Sequence, residues 1–312
     1  MAPSSVKVYA PATISNLGSG FDVIGLAIDR PGDVVVARRR KEPGIEFSVS
    51  PHRAGIPVGM DNVAAHVASL FLEEMRPRFG IRTVLHKRMP LGSGLGSSGA
   101  SSVAALVAVN ALLPRPVRKE ELLRFAVEGE RKASGSPHAD NVAPCLLGGA
   151  CLVRSYDPLD VITLKTRNTI VWVVVHPHLV VNTADARSVL PENVPLRTAV
   201  RQWGNVAGLV AGLIAGDAHL VGECTQDFIV EPAREHLTPG FARVRAAALD
   251  AGAHGCSFSG SGPSVFAVTD STGKARKVAA AMKQTFKESS RVGCDVFISR
   301  INTRGAVILQ RS

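Results

Sequence analysis

The segment from Pro90 to Ser102, PLGSGLGSSGASS, most narrowly constrains how this chain can fold. Its glycines let the backbone approach a ligand closely, and the small and apolar residues that follow predict a buried helix over Ala100–Leu113. The start of such a helix directs unpaired N–H groups and the positive end of the helix dipole toward an anion. We therefore predict a phosphate-binding loop, in which the Ser97 and Ser98 hydroxyls are available to a phosphate and to Mg²⁺.

Two other kinds of glycine-rich loop have to be considered. Residues 94–99 satisfy G-x-G-x-x-G, the pattern of dinucleotide-binding folds, but a single match is weak. The acidic residue at the required spacing, Glu120, lies at the start of a predicted helix and not at the end of a strand. A P-loop is excluded because no lysine follows the glycines. Two more glycine clusters, in Ser15–Asp22 after a strand and in Ser257–Ser264 before a strand, make isolated turns an insufficient explanation.

Composition narrows the class of protein. With 312 residues, of which 46% are hydrophobic, the chain can form one two-lobed unit or two domains. The net charge of +10 attracts any anion, but only 5% of residues are aromatic and none form an interleaved stacking platform, so we expect no nucleic-acid partner. The basic run Arg38–Lys41 follows an apolar stretch and is best explained as the solvated end of a strand.

Cysteine usage and hydropathy indicate the compartment. The five cysteines are widely spaced without a C-x-x-C pair, which favours free thiols in a reducing environment over disulfides or zinc. No apolar run is long enough to cross a bilayer, and the first residues lack the apolar stretch of a signal peptide. We expect a cytoplasmic protein with no membrane partner.

The chain alternates between predicted strands and helices, which indicates a mixed α and β fold. Short β-branched runs predict strands at 7–11, 33–40, 44–50, 82–89, 150–156, 169–176, 264–269 and 295–301. Apolar periodicity predicts helices at 62–79, 100–113, 119–132, 198–215, 239–251 and 274–288. The long apolar strand near residue 170 is taken to open a second lobe, so the expected domains are 1–160 and 161–312.

In order and content, the three glycine clusters resemble the GHMP kinase superfamily. The matching segments are PATISNLGSGFD at residues 11–22, PLGSGLGSS at 90–98 and SFSGSGPS at 257–264, and they span nearly the whole chain. Within the superfamily, the first of these together with SPHADNVAP at 136–144 and EPAR at 231–234 is most similar to the homoserine kinase branch. One departure is Gly99, where that family usually has alanine; both residues are small.

The resemblance implies a fold and a phosphate donor. The fold would be α+β, with an N-terminal lobe similar to ribosomal protein S5 domain 2 and a C-terminal ferredoxin-like lobe. ATP would bind between them, and Mg²⁺ would be held by Ser98 and Glu130. Besides that serine, the implied ATP-binding residues are Asn62, Pro90, Leu91, Gly92, Ser93, Gly94, Leu95, Gly96, Ser97 and Thr183. A homodimer is also typical of the family.

The implied acceptor is L-homoserine, which carries an ammonium, a carboxylate and a primary hydroxyl. Such a site needs an acidic residue, one or two arginines and a group that orients the hydroxyl. The resemblance assigns these roles to Asp22, Arg187 and Arg234, and Asn16, with His138 and Gly260 lining the same pocket. A helix cap or turn remains an alternative role for Asp22, surface solvation for the arginines, and packing within its loop for His138.

No residue is an obvious catalytic base. Mevalonate-kinase-like members have an aspartate where this chain has Asn141, and an amide does not accept a proton at neutral pH. Phosphoryl transfer tolerates this, because its loose transition state depends mainly on positioning and charge neutralisation. We therefore expect catalysis without a protein base, with Asn16, Asn141 and Thr183 at the reacting groups and Asp140 as the competing candidate.

Three functions stay open at this point. The first is ATP-dependent phosphorylation of L-homoserine, and another GHMP kinase with a different alcohol is its nearest rival. The second is a sensor of nucleotides or amino acids on the same scaffold that does not catalyse a reaction. The third is a basic nucleic-acid-binding protein with an S5-like lobe, which would bind RNA or DNA with a steep salt dependence.

Overall fold

The computed structural model describes residues 3–51 and 55–312, and within these ranges the strands form two sheets. The strands are β1 (Ser5–Ser15), β2 (Ile24–Arg40), β3 (Ile45–Ser50), β4 (Gly80–His86), β5 (Ala150–Tyr156), β6 (Leu159–Leu164), β7 (Val171–Pro177), β8 (Gly255–Phe258), β9 (Val265–Thr269), β10 (Cys294–Ser299) and β11 (Val307–Arg311). The helices are α1 (Val63–Met75), α2 (Ser97–Leu112), α3 (Lys119–Ser134), α4 (Ala139–Leu147), α5 (Thr183–Ser188), α6 (Leu196–Ala215), α7 (Ala218–Cys224), α8 (Val230–Arg234), α9 (Phe241–Asp250) and α10 (Thr272–Ser290).

The first sheet has the strand order β11-β1-β2-β4-β3, and the β5–β6 ribbon pairs with the start of β2. β3 and β4 run parallel, and α1 lies between them in the chain. Helix α2 packs against β1 and β2 and is buried on every side, as its small and apolar residues predict. This packing places the N-terminal end of α2, and the glycine-rich loop before it, at the edge of the first lobe.

The second sheet has the order β10-β7-β9-β8, with every neighbouring pair antiparallel. Taken with its βαββαβ chain order, this arrangement is ferredoxin-like. Alternate residues of β7 face different cores: Val173 packs with α9 and α10, whereas Trp172 and Val174 join the large core that includes the first lobe. Because both faces are covered, the strand is apolar from Val171 to Val175. The α+β fold with two lobes is thus confirmed.

Several elements differ from the predicted ones. β2 begins at Ile24, well before the predicted start, because its first half pairs with β1 and β5. The short helices α4, α5, α7 and α8 were not predicted, since too few turns are present to give a clear period. α1 ends at Met75, four residues earlier than predicted, where Arg76 adopts a left-handed conformation before Pro77.

The expected division between residues 160 and 161 falls inside β6, which belongs to the first sheet. The last strand, β11, also returns to that sheet and pairs with β1. Ile301 and Ala306 accordingly lie in the core of the first lobe. Among the helices of the described residues, none is both long and apolar enough to cross a membrane.

Candidate active site

A cleft of about 670 Å³ lies where the glycine-rich loop, the segment after β1 and the second lobe meet. Most of the predicted site residues line it: Asn16, Asp22, Asn62, Leu91, Gly92, Ser93, Gly94, Gly96, Ser97, Ser98, Glu130, His138, Asn141, Thr183, Arg187, Arg234 and Gly260. Pro90 and Leu95 do not line the cleft, and Leu95 is fully buried in the core of the first lobe. Residues from both halves of the sequence therefore form one site.

The glycine-rich loop leads directly into α2. Gly96 is the N-cap of this helix in a left-handed conformation, with φ at +67°. A Cβ atom there would lie 2.2 Å from the Thr13 hydroxyl oxygen, so a glycine is required. The Ser97 hydroxyl is buried and makes no hydrogen bond within the described residues. The loop and the helix start therefore present unpaired donors to the cleft, which suits a phosphate chain.

A buried ion pair between Lys87 and Asp33, which was not predicted from the sequence, lies beneath this loop. The Lys87 ammonium donates to the Asp33 carboxylate, to the Ser97 carbonyl at 2.8 Å and to the Ser101 hydroxyl at 3.0 Å. Burial lowers the pKa of Lys87, while the carboxylate of Asp33 opposes that shift. The only signal in the sequence is a lysine shortly before the glycines, and nothing local indicates its partner 54 residues earlier.

Glu130 lies on α3 and faces the start of α2. Its carboxylate accepts a hydrogen bond from the Ser98 hydroxyl at 2.7 Å, and only 5% of the residue is exposed. Burial raises the pKa of Glu130 to about 7, and the bond from Ser98 offsets part of that rise. A hydroxyl and a carboxylate beside a phosphate loop suit Mg²⁺, which keeps waters and phosphate oxygens as its other ligands. No group of three or more acidic, histidine or cysteine side chains suitable for a metal occurs in the described part of the chain.

One end of the cleft is largely apolar. Ile56, Val63, Leu91 and Val181 are among its lining residues. Asn62, which the family resemblance implies is an ATP-binding residue, is the N-cap of α1: its side chain accepts from the Ala64 amide at 3.0 Å and donates to the Pro57 carbonyl at 2.8 Å. The side-chain oxygen and nitrogen of Asn62 therefore both stabilise the start of α1.

The opposite end of the cleft is charged. The Arg187 guanidinium contacts the Asp22 carboxylate at 2.7 and 2.9 Å and donates to His138 Nε2. His138 Nδ1 lies 3.0 Å from the Ser134 hydroxyl. Burial lowers the pKa of His138, and Arg187 and Arg234 lower it further against the opposing effect of Asp22. The imidazole of His138 is therefore neutral at pH 7. The Nε atom of Arg187 is buried and has no partner among the described residues.

Arg234, the last residue of α8, completes this end. It is 3% exposed and donates from Nε to the Ala186 carbonyl at 2.8 Å, and its guanidinium lies over the Phe21 ring at 5.1 Å. Burial lowers its pKa to about 10, so it keeps its charge at neutral pH. Burial excludes simple surface solvation for Arg234. His138, the N-cap of α4, contacts both Arg187 in the cleft and Ser134 at the end of α3, so packing within its loop stays an alternative role for it.

The middle of the cleft contains amides and one unpaired carboxyl group. Asn16, at φ +69°, donates to the Gly260 carbonyl at 2.9 Å and accepts from the Asp22 amide at 3.0 Å. Asn141 donates to the Ser15 hydroxyl at 3.0 Å and accepts from Thr13 at 2.7 Å.

Asp140, the neighbour of Asn141, is 2% exposed, and its Oδ1 has no partner within the described residues. Burial, and then the nearby charges of Asp22 and Glu130, raise the pKa of Asp140 to about 8. Thr183 begins α5, and its hydroxyl lies 3.5 Å from that of Ser261. The asparagines and Thr183 are thus held between the phosphate loop and the charged end.

Two family models match the chain: "GHMP kinases N terminal domain" at residues 52–149 and "GHMP kinases C terminal" at residues 209–288. The homoserine kinase of Chlorobaculum tepidum is 46% identical over 318 residues, which cover 98% of this chain and 98% of the relative. That of Pyrococcus furiosus is 40% identical over 96% of this chain and 99% of the relative.

Solved structures agree with this grouping. A crystal structure of homoserine kinase from Cytophaga hutchinsonii superposes with a TM-score of 0.95 at 48% identity, covering 99% of this chain and 98% of that one. L. major mevalonate kinase, solved with R-mevalonate, has a TM-score of 0.74 at 17% identity over 97% of each chain, which supports the fold alone.

Proposed function

This chain belongs to the GHMP kinase family, and we propose that it transfers the γ-phosphoryl group of ATP to the side-chain hydroxyl of L-homoserine. The products are O-phospho-L-homoserine and ADP, and the reaction is a step of threonine biosynthesis. The single observation that carries this specificity is the charged end of the cleft, where an aspartate and two arginines line the same cleft as the phosphate loop. Relatives named homoserine kinase over the full length of the chain support the same function.

The charged end fits a zwitterionic amino acid. Asp22 supplies a negative charge for the ammonium, and Arg187 and Arg234 supply donors for the carboxylate. Arg187 and Asp22 form an ion pair, so each of them exchanges part of that pairing for the ligand's opposite charge when the amino acid binds. The Arg187 Nε atom, which has no partner within residues 3–51 and 55–312, gives the carboxylate a further donor. An isoprenoid or sugar alcohol would not use both Asp22 for an ammonium and two arginines for a carboxylate, which favours homoserine over the acceptors of other family members.

The phosphate end fits Mg·ATP. The backbone N–H groups and hydroxyls of the loop at residues 92–98 bind phosphate oxygens, and the apolar lining accommodates adenine. Ser98 and Glu130 are the residues that would hold Mg²⁺, which neutralises charge on the phosphate oxygens when bound. In the described part of the chain, no cationic side chain pairs with the buried Glu130 carboxylate, and this donor set supports the assignment.

We propose that transfer proceeds without a protein base. Asn16 and Asn141 orient the acceptor hydroxyl, and Thr183 contributes a hydroxyl on the side of the γ-phosphate. The proton leaves the hydroxyl late in the reaction and goes to a phosphate oxygen, because a loose transition state makes early removal unnecessary. Asp140 is buried with a strongly raised pKa, and it is therefore mostly protonated at pH 7 and a poor proton acceptor.

An ADP-release assay with Mg·ATP tests the function. Homoserine, mevalonate, galactose and shikimate are offered as acceptors, and turnover is expected with homoserine alone. Turnover on another alcohol with none on homoserine would assign the chain to a different GHMP kinase activity. Binding of both ligands without ADP release would favour a non-catalytic sensor.

We further propose that the chain acts in the cytoplasm and forms a homodimer. The five free cysteines support a reducing compartment. Leu196, Val200 and Trp203 form an apolar stripe on the outer face of α6, with exposures of 71%, 54% and 60%, and a second copy would cover it. Trp203→Glu is expected to yield a monomer in sedimentation analysis, whereas the isolated exposed Leu249, changed to Glu, should leave the assembly intact.

A further inference from the structure

The segment at residues 16–22, called here the amino-acid loop, has a back surface that faces away from the cleft. Its front carries Asn16 and Asp22, whereas Gly18 and Ser19 contact the second lobe. A Cβ atom on Gly18, at φ +75°, would lie 1.8 Å from the Thr225 carbonyl oxygen, so the two backbones are in close contact. The Ser19 hydroxyl donates to the Cys224 carbonyl at 2.7 Å. The position of the loop is therefore set from behind by the second lobe.

Gln202 is the side chain that joins this loop to the rest of the charged end. It lies on α6 and is 6% exposed, although its neighbours along the helix, Arg201 and Trp203, are exposed. Its amide nitrogen donates to the Ser19 carbonyl and to Asp227 Oδ1, both at 2.9 Å. Its amide oxygen accepts from the Phe228 amide at 3.0 Å. Both donor hydrogens and the acceptor are thus used.

Asp227 continues the connection to α8. Its Oδ1 accepts from the amides of Ile229 and Val230 at 2.9 and 3.0 Å, and its Oδ2 accepts from the amide of Glu231 at 3.0 Å. These are the N–H groups at the start of α8, the short helix that ends at Arg234. Such a buried carboxylate, satisfied by four donors, holds the helix rigidly.

We propose that Gln202 and Asp227 are positioning residues that set the separation between Asp22 and Arg234, and so the specificity for an α-amino acid. This inference rests on the proposed function, in which Asp22 binds the ammonium and Arg234 binds the carboxylate. The two groups are attached to one carbon atom, so their separation in the ligand is fixed. When Asp22 and Arg234 are held at the matching separation, the ligand gains binding free energy from both of its charged groups at once. A site that holds them loosely gains binding free energy from only one group at a time.

The test compares L-homoserine with 4-hydroxybutanoate, the same hydroxy acid without its ammonium. ADP release gives kcat/KM for each acceptor in the wild type, in Gln202→Met and in Asn205→Ala. Methionine keeps the length and volume of glutamine but makes none of its three hydrogen bonds. Asn205 is the matched control, because it lies on the same helix and donates to the Gln226 carbonyl at 2.8 Å without contacting the amino-acid loop.

In Gln202→Met, KM for homoserine is expected to rise about tenfold or more, since three buried hydrogen bonds are lost. KM for ATP should change less than about twofold, because the phosphate loop has no contact with Gln202. The preference for homoserine over 4-hydroxybutanoate should fall about tenfold, and Asn205→Ala should keep the wild-type preference. A merely structural role would lower kcat/KM for both acceptors by the same factor and leave the preference unchanged, which would overturn the proposal.

Asp227→Asn provides a second measurement if Gln202→Met does not fold. It keeps one oxygen acceptor for the start of α8, and the same fall in preference is expected with a smaller loss of stability. An unchanged preference in this variant would also overturn the inference. Failure of the proposed function is distinguishable, because the wild type itself would then not release ADP with homoserine.

Discussion

Two buried carboxyl groups differ in their partners: Asp33, which lies beneath the phosphate loop, and Asp140, which lines the cleft. Asp33 is fully buried and accepts hydrogen bonds from Lys87, the Ser101 hydroxyl and two backbone amides. Asp140 is 2% exposed, and one of its oxygens has no partner in the described chain. A buried charge with a full set of partners can hold a loop in place. A buried carboxyl group without them is kept protonated, as the raised pKa of Asp140 indicates.

The same contrast separates two layers of the site: an inner layer, the Asp33–Lys87 pair beneath the phosphate loop, and an outer layer, the residues around the ligand space. Beneath the phosphate loop, every polar atom of the Asp33–Lys87 pair is engaged by protein groups. Around the ligand space, Ser97, Arg187 and Asp140 each have a buried polar atom that lacks a partner among the residues the structure describes. Ser102 and Trp172 also have such an atom, but they do not line the cleft. Since such atoms are costly to bury, the three that belong to cleft residues are the ones to which a ligand or its water can supply the missing partner. The inner layer is therefore structural and the outer layer is complementary to substrates.

The largest effect is expected from breaking the inner layer. Lys87→Met leaves the Asp33 carboxylate buried without its cation, which costs about 3–5 kcal/mol in the free energy of unfolding. The melting temperature should fall on the order of 10 °C. The double variant Asp33→Leu/Lys87→Met should recover part of this loss, since neither charge is then buried alone. A single variant as stable as the wild type would contradict the assignment of a structural role.

The next effect concerns Glu130 in the outer layer. Glu130→Gln removes the proposed Mg²⁺ carboxylate, so kcat should fall about 100-fold and the Mg²⁺ concentration for half-maximal rate should rise. Stability should be unchanged or slightly higher, because a neutral amide is less costly to bury than a carboxylate. Glu128→Gln serves as the control, since this neighbour on α3 pairs with Arg131 at the surface. Equal losses of kcat in Glu130→Gln and Glu128→Gln would show that the effect comes from a change in helix α3 and not from the proposed Mg²⁺ site.

Asp140→Asn tests the unpaired carboxyl group, with an expected fall in kcat of less than about tenfold. Because the native pKa of about 8 lies above that of the unfolded chain, the native state binds more protons between pH 4 and 8. The stability of the wild type should therefore decrease as the pH rises through this window. Asparagine does not titrate, so the melting temperature of the variant should exceed that of the wild type by a margin that grows from pH 4 to pH 8.

Two results would contradict these expectations for Asp140. A loss of several orders of magnitude in kcat, with folding and substrate affinity intact, would make Asp140 the catalytic base. A margin in melting temperature that does not change with pH would show that the carboxyl group does not titrate differently in the folded and unfolded chains.

The parts of this site that could be predicted from the sequence are those that lie within short segments. The loop before α2, and the segments with Asp22 and Glu130, follow from local patterns and from the family resemblance. The roles of Asp33 and Gln202 could not be predicted, because their partners lie 54 and 183 residues away and no periodicity relates them. The position of His138 at the start of a helix was missed because α4 is only nine residues long.

The smallest effect is expected from loss of the Tyr156 hydroxyl, which hydrogen-bonds to a segment of the outer layer. The Tyr156 hydroxyl donates to the Asp22 carbonyl at 2.8 Å and accepts from the Ala139 amide at 3.2 Å, so it joins the amino-acid loop to α4. Because one such bond contributes about 1 kcal/mol, Tyr156→Phe should raise KM for homoserine about fivefold and leave kcat nearly unchanged.

The other tyrosine of the chain gives a matched control for this prediction. The Tyr9 hydroxyl also donates to backbone carbonyls, those of Asp29 and Pro31, but Tyr9 does not line the cleft. Tyr9→Phe should therefore lower the melting temperature by a few degrees and leave KM unchanged. If both variants change only stability, the hydroxyl of Tyr156 belongs with the structural layer, and the boundary between the two layers lies closer to Asp22 than proposed.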